Sequence, residues 1–339
     1  MNVGDRRMLP RRAVAPTALG LGCAQMGGLF RTMSLRDCEE TVQAAWDAGI
    51  RYFDTAPYYG YSRSERRLGA ILDGFPRDEY VLSSKAGRLM VPDAEVGADE
   101  DGWVGPLPFR PTFDYSHDGI LRSFEASQQR LGGIRIDILF VHDIGRLTHA
   151  DRHARYWAQL TTGGGFRALD ELRACGQVGA VGLGVNECGV VADAMQAFDL
   201  DVTMLAGRYT LLEQAAADFL NSCRRNGNAI IAAGVFNSGV LVGNTTFNYA
   251  EAPAAIVARV QALQRACDAF DVPLPAAALQ FPQAHPAISS CVVGAHSAAQ
   301  LRTSIGWFSH PIPDAFWASL KQQGLIDPAA PTGNSGKVS

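Results

Sequence analysis

Short apolar runs recur along this chain, at residues 18–24, 52–54, 80–85, 137–142, 178–185, 202–205, 229–233 and 290–293, with a helix-like segment between successive runs. Strands that alternate with helices predict a parallel sheet built from right-handed crossovers. Eight such units predict that the sheet closes on itself as a (β/α)8 TIM-type barrel with long loops at its C-terminal face. The helical segments carry ordinary start and stop signals: the periodic stretch at 35–48 begins after Ser34 and ends at Gly49. Further helices are expected at 62–72, 117–131, 166–175, 190–198, 215–225, 254–269 and 298–305. No composition break divides the chain, so a single barrel domain over residues 1–327 is favoured over a two-domain doubly wound arrangement. The basic first dozen residues are read as a lid or short hairpin. The Pro-, Gly-, Ser- and Ala-rich stretch at 328–339 is read as a disordered tail.

Composition closes off several classes of function. A 47% hydrophobic and 19% charged chain can bury a core, which argues against disorder in its body. A net charge of -4 and a pI near 6.0 leave no electrostatic footprint for nucleic acid or an anionic membrane. No apolar run reaches the length of a membrane span and the first residues lack the apolar stretch of a signal peptide, so a cytoplasmic location is expected. Seven dispersed cysteines read as reduced, mostly buried thiols. Metal binding is the weaker reading, because His142, His149 and His153 are more simply one strand end and a polar helix. No Gly-x-Ser-x-Gly elbow occurs, and in the glycine-rich stretch from Gly20 to Gln25 the third glycine of a dinucleotide fingerprint is replaced by Gln25.

The strand ends carry the chemistry. Tyr52-Phe53 ends on Asp54 and is stopped by Pro57, the next run ends on Lys85, and the fourth ends on His142. Catalytic groups of parallel barrels gather at the C-terminal ends of strands, and Tyr59 lies just beyond the first of these ends. A phenol is a poor base at neutral pH, but a neighbouring ammonium favours the phenolate, so Lys85 is expected to lower the pKa of Tyr59. Asp54 would keep Lys85 charged and oriented, and His142 would hydrogen-bond a substrate oxygen. Tyr59 then exchanges a proton with a carbonyl/alcohol pair, which suits hydride transfer with a nicotinamide cofactor. Each residue has a plainer role: Asp54 a turn cap, Tyr59 a packed aromatic with Tyr58 as competitor, Lys85 a solvent-facing terminus, His142 a core imidazole. Three coincidences at three strand ends are the less economical account. The long connection between Lys85 and His117, acidic at 99–101 and then rich in aromatics including Trp103, is expected to form a substrate-binding wall.

The segment at 49–60, Gly-Ile-Arg-Tyr-Phe-Asp-Thr-Ala-Pro-Tyr-Tyr-Gly, followed by Ser64-Glu65 and Leu68-Gly69, resembles a signature of the aldo-keto reductase family, and the likeness runs from Leu19 to about Leu320. The resemblance implies a barrel that binds an extended nicotinamide dinucleotide without a Rossmann motif, with Tyr59 as proton-transfer residue and Asp54, Lys85 and His142 as its partners. It places the nicotinamide carboxamide on Asn186, with Val185 where a serine or histidine is usual, and leaves Ala233 where an aromatic stacks on the ring. Gly234, Phe236, Gly239 and Leu241 match the loop that crosses the pyrophosphate. Gly294, His296, Ser297, Gln300 and Ser304 match the adenosine-phosphate segment. Gly294 and Gln300 stand where Lys or Arg serves relatives that prefer the phosphorylated cofactor, leaving His296 and Arg302 as basic candidates, so NAD is expected rather than NADP. The stretches 21–28, 102–115 and 206–212 resemble the branch that oxidises free aldoses, such as L-fucose, D-threo-aldoses and L-galactose, and a related pyridoxal 4-dehydrogenase. An NAD-dependent aldose 1-dehydrogenase acting on a small sugar is therefore the leading expectation. Pyridoxal oxidation and a cofactor-binding regulatory barrel without catalysis are the alternatives. No heptad or apolar stripe indicates an oligomer interface.

Overall fold

The computed structural model describes residues 1–248 and 250–333. Its sheet is a closed parallel barrel of β1 (Leu19–Gly22), β2 (Tyr52–Asp54), β3 (Val81–Ala86), β4 (Ile138–His142), β5 (Ala180–Val185), β6 (Val202–Ala206), β7 (Ala229–Ala233) and β8 (Ile288–Gly294), each strand beside the next and β8 beside β1. All eight expected strands are present. Their apolar runs are nearly continuous because helices cover the outside while other side chains fill the inside. Along each strand, alternate residues point to opposite faces. Tyr52, Val81, Ile138, Phe140, Val202, Met204, Ala229, Ile231 and Val292 form an inner apolar cluster, whereas Phe53, Leu82, Leu139 and Val141 join the cluster shared with the outer helices.

The expected helices appear within a few residues of their predicted limits. Leu35–Asp47 is opened by a capping box in which Ser34 Oγ accepts the Asp37 N–H at 3.1 Å and Asp37 Oδ2 accepts the Ser34 N–H at 3.2 Å. The helices at Leu274–Gln283 and Asp314–Gln322 were not expected from the sequence. The first of these contains Pro275 and Pro282, which read as helix breakers, and every residue but Pro275 is buried, so it shows no amphipathic period.

The first residues do form a hairpin, bridged at Arg6 and Thr17, with Leu9 donating its N–H to the Val14 carbonyl at 2.9 Å. Its Leu9 and Val14 side chains belong to the inner cluster and so close the N-terminal end of the barrel. Of the stretch expected to be a disordered tail, residues 328–333 instead pack against the barrel, with Ala330 buried and its N–H bonded to the Asp327 carbonyl at 3.0 Å. The remainder, 334–339, lies outside the described residues. The long connection after β3 forms an antiparallel ribbon of Arg88–Pro92 with Phe109–Phe113 and a smaller one of Asp99–Glu100 with Trp103–Val104. Residues 28–30 are bonded to it through the Val104 N–H on the Gly28 carbonyl and the Phe30 N–H on the Gly102 carbonyl, both 2.9 Å.

Candidate active site

Strand periodicity alone brings three of the four candidate catalytic residues together. Tyr52 and Asp54 on β2, Val81, Ser83 and Lys85 on β3, and Ile138, Phe140 and His142 on β4 occupy alternate positions, so Asp54, Lys85 and His142 form the polar layer above the apolar one. Lys85 Nζ donates to Asp54 Oδ1 at 2.9 Å, to Asp54 Oδ2 at 2.8 Å and to the Thr55 carbonyl at 2.9 Å. Ser83 Oγ donates to Asp54 Oδ1 at 2.7 Å. Asp54 is thus committed to Lys85 and Ser83 rather than to a turn, and Lys85 is only 2% exposed, not a solvent-facing terminus.

Tyr59 reaches this layer from the loop after β2. That loop abuts the one after β1 so closely that a Cβ on Gly27 would lie 2.5 Å from the Tyr59 carbonyl carbon, and Gly60 turns with φ 62° against Gly27. The Tyr59 ring centroid is 4.6 Å from Lys85 Nζ, 5.7 Å from the Trp103 ring and 6.0 Å from the His142 ring. Tyr58 also lines the cavity, but its hydroxyl donates to Asp101 Oδ2 at 3.2 Å and its ring covers the Arg88 guanidinium at 4.1 Å.

The electrostatics correct one expectation. Burial pushes the Tyr59 phenol up to about 12, and the Lys85 charge offsets this only in part. Burial lowers the Lys85 pKa, but the adjacent Asp54 charge and hydrogen bonds outweigh it and raise the pKa above the ordinary lysine value, so Lys85 stays an ammonium. His142 is held well below its ordinary value, first by burial and then by the charges of Arg88 and Lys85, so it is a neutral imidazole at physiological pH. Its Nδ1 is buried without a partner among the described residues, and Nε2 lies 3.5 Å from Asp143 Oδ2.

These groups open on a cavity of about 440 Å³ lined by Tyr58, Tyr59, Lys85, Asp101, Trp103, His142, Asp143 and Asn186 among others. Trp103 puts the long connection on the wall of the cavity at the C-terminal face. The cavity shares Leu29, Phe30, Asn186, Ala206 and Gly234 with a longer groove of about 850 Å³. Gly234, Phe236, Gly239, Gly294, His296 and Gln300, which the resemblance assigns to the cofactor, line this groove. Three other assigned residues do not. Leu241 is 1% exposed in the core, Ser297 caps the helix Ala298–Ser309 by accepting the Gln300 N–H, and Ser304 is buried with its hydroxyl on the Gln300 carbonyl at 3.3 Å. Gln25, absent from the assignment, does line the groove and lies over Gly294, in space that a Cβ there would fill at 2.2 Å. Two features of the groove are compatible with an extended dinucleotide: Gly239 turns with φ 103° at its edge, and the buried Gln25 Oε1 and Asn237 Oδ1 have no hydrogen-bond partner among the described residues. Sequence signals for Arg88 and Asp143 were present, three residues after Lys85 and one after His142, but nothing local joined them.

A closed parallel barrel with an ammonium–carboxylate pair, a buried phenol and a neutral imidazole above its core, beside a dinucleotide-sized groove, defines a barrel oxidoreductase. The chain belongs to the aldo/keto reductase family, whose model matches residues 18–324. It is 48% identical to pyridoxal 4-dehydrogenase of Microbacterium luteolum over 96% of this chain and 99% of that protein. It is 42% identical to D-threo-aldose 1-dehydrogenase of a Pseudomonas species over 92% of this chain and 95% of that protein. Among solved structures, the holo form of aldo-keto reductase AKR11C1 from Bacillus halodurans shares its fold with a TM-score of 0.72, at 19% identity, over 98% of this chain and 99% of that one. Among the described residues, no helix is long and apolar enough to cross a membrane.

Proposed function

We propose that the protein is an NAD-dependent dehydrogenase that oxidises a cyclic hemiacetal to a lactone, with an aldose such as L-fucose as the leading substrate class and pyridoxal as the second. The observation that carries this reading is the Tyr59 phenol held beside the Lys85 ammonium at the mouth of one cavity that His142 also lines. Free aldoses and pyridoxal both close to hemiacetals in water, so one site chemistry serves either. Pyridoxal enters because the 48% identical relative carries that name.

In this scheme Tyr59, as phenolate, accepts the proton of the hemiacetal hydroxyl. The neutral His142 donates an N–H to the same oxygen and fixes its position. Lys85 stabilises the phenolate, and Asp54 holds Lys85 in place. A bound nicotinamide cofactor supplies the hydride acceptor. The carbon loses a hydride as its oxygen loses a proton, which leaves the lactone carbonyl. Asn186, Gly234, Phe236, Gly239 and Gln25 would hold the dinucleotide. The adenosine end favours NAD because its polar groups are already engaged: Gln300 Oε1 accepts the His296 N–H at 2.8 Å, and His296 Nε2 contacts the Leu29 carbonyl at 2.9 Å. Arg302 is not among the groove-lining residues, and the one arginine among the described residues that line the groove, Arg208, follows β6 and donates to Asn248 Oδ1 at 3.3 Å.

NADH formation measured with L-fucose, D-arabinose, L-galactose and pyridoxal tests the proposal. Turnover of at least one hemiacetal is expected, with kcat/KM for NAD at least roughly tenfold above that for NADP, since each 1.4 kcal/mol of discrimination is worth that factor. Cofactor binding without turnover of any of the four would favour the regulatory barrel, and a strong NADP preference would refute the cofactor assignment. With the phenol near 12, little phenolate exists at neutral pH. kcat/KM for oxidation is therefore expected to rise from about pH 6 to about pH 9, by up to roughly tenfold per unit, and a flat profile would argue against Tyr59 as the base.

A further inference from the structure

We propose that Asp143 reads the substrate by accepting a hydrogen bond from a hydroxyl next to the reacting carbon, and that together with Asp101 it confines the enzyme to substrates without an anionic group. This deepens the hemiacetal reading and rests on it. Asp143 follows His142 at the end of β4 and lines the same cavity. Its backbone turns with φ 48°, a left-handed conformation that aspartate tolerates better than most residues. Only one of its carboxylate oxygens is engaged: Oδ2 accepts from Arg88 Nη2 and lies 3.5 Å from His142 Nε2, whereas Oδ1 takes no hydrogen bond from any described residue.

Arg88 acts behind the site as a positioning residue. It is 5% exposed, lies outside the cavity lining, and is fixed between the Asp143 carboxylate and the Tyr58 ring. The carboxylate is thereby held from one side with its second oxygen left for a ligand, which is how a pre-organised acceptor is built. Burial raises the Asp143 carboxyl, but the Arg88 charge opposes that shift. On the long connection, the Asp101 carboxylate accepts from Tyr58 at 3.2 Å and from Tyr61 at 2.8 Å.

An entering phosphate or carboxylate therefore meets two carboxylates. Among the described residues that line the cavity the one cation, Lys85, already donates to Asp54 and Thr55. A hydroxyl donor meets an unused acceptor on the half-buried Asp143, and an acceptor built for an O–H discriminates strongly against ligands that cannot supply one.

The test is calorimetric binding to the full-length protein with NADH bound, and it needs no turnover. The probes are pyridoxine against pyridoxine 5′-phosphate and D-galactose against D-galacturonate. In at least one pair the uncharged member is expected to bind at least roughly tenfold more tightly. Asp143→Asn, whose amide presents N–H groups in place of the acceptor, is expected to weaken that uncharged ligand by a similar factor and to narrow the gap to its anionic partner. The Kd of NADH itself should stay within about twofold, which controls for the fold. Equal binding of the anionic member, no binding of either uncharged ligand, or an unchanged affinity in the variant would each overturn the proposal. Tight, selective binding of an uncharged probe without oxidation of any hemiacetal would instead sink the proposed reaction while leaving the recognition intact.

Discussion

Tyr59→Phe is expected to lose roughly 10²–10⁴-fold in kcat while NADH binding and thermal stability stay close to those of the parent, because the substitution removes a single oxygen at the reacting end of the cavity. The ring packs against Trp103 and lies over the Lys85 ammonium, and phenylalanine keeps both contacts. The Gly27–Gly60 backbone contact that places the loop is untouched. Stopped-flow turnover with a saturating hemiacetal, paired with a fluorescence titration of NADH, separates chemistry from binding. A kcat within about threefold of the parent would remove Tyr59 from proton transfer, since a positioned acid–base group contributes far more than that.

The second large effect lies one layer deeper. Lys85→Met leaves the Asp54 carboxylate buried with Ser83 as its remaining side-chain donor, and Asp54→Leu strands the ammonium in the same way. Breaking a buried pair from one side costs about 3–5 kcal/mol, whereas replacing both members by apolar groups of similar size is often neutral. Each single variant should therefore be strongly destabilised in urea melts, and the double variant should recover most of the loss. Activity should not return, because the double variant restores packing but supplies no cation to the phenolate. Recovery of turnover along with stability would show that the pair serves the barrel alone.

Much of this architecture could be read directly from the residue pattern. A parallel strand covered on both faces announces itself as an apolar run, and the alternation along Asp137-Ile-Leu-Phe-Val-His142 already placed the imidazole on the same side as Ile138 and Phe140. What escaped depends on contacts between distant positions. The phenol was expected to be acidified because its cation is obvious in the sequence, but the burial that outweighs that cation depends on packing by Trp103, 44 residues further on. The Arg88–Asp143 pair joins loops after different strands. Ser304 and Leu241 were assigned to the groove by their place in a motif, yet the helical turn and the core claim their side chains. The helix at Leu274–Gln283 was missed because proline usually marks the end of a helix, and here it is tolerated in the first and last turns.

The amino-terminal hairpin has a consequence for how the molecule is assembled. Arg6 bonds the Glu79 carbonyl just before β3, Arg7 the Ile288 carbonyl at the start of β8, and Arg12 the Asp201 carboxylate just before β6. No two of those docking points are neighbours around the ring, and they come into common reach only once the whole circle of strands exists. The hairpin is thus among the last elements to find its seat, a latch that can fall shut only on a finished vessel.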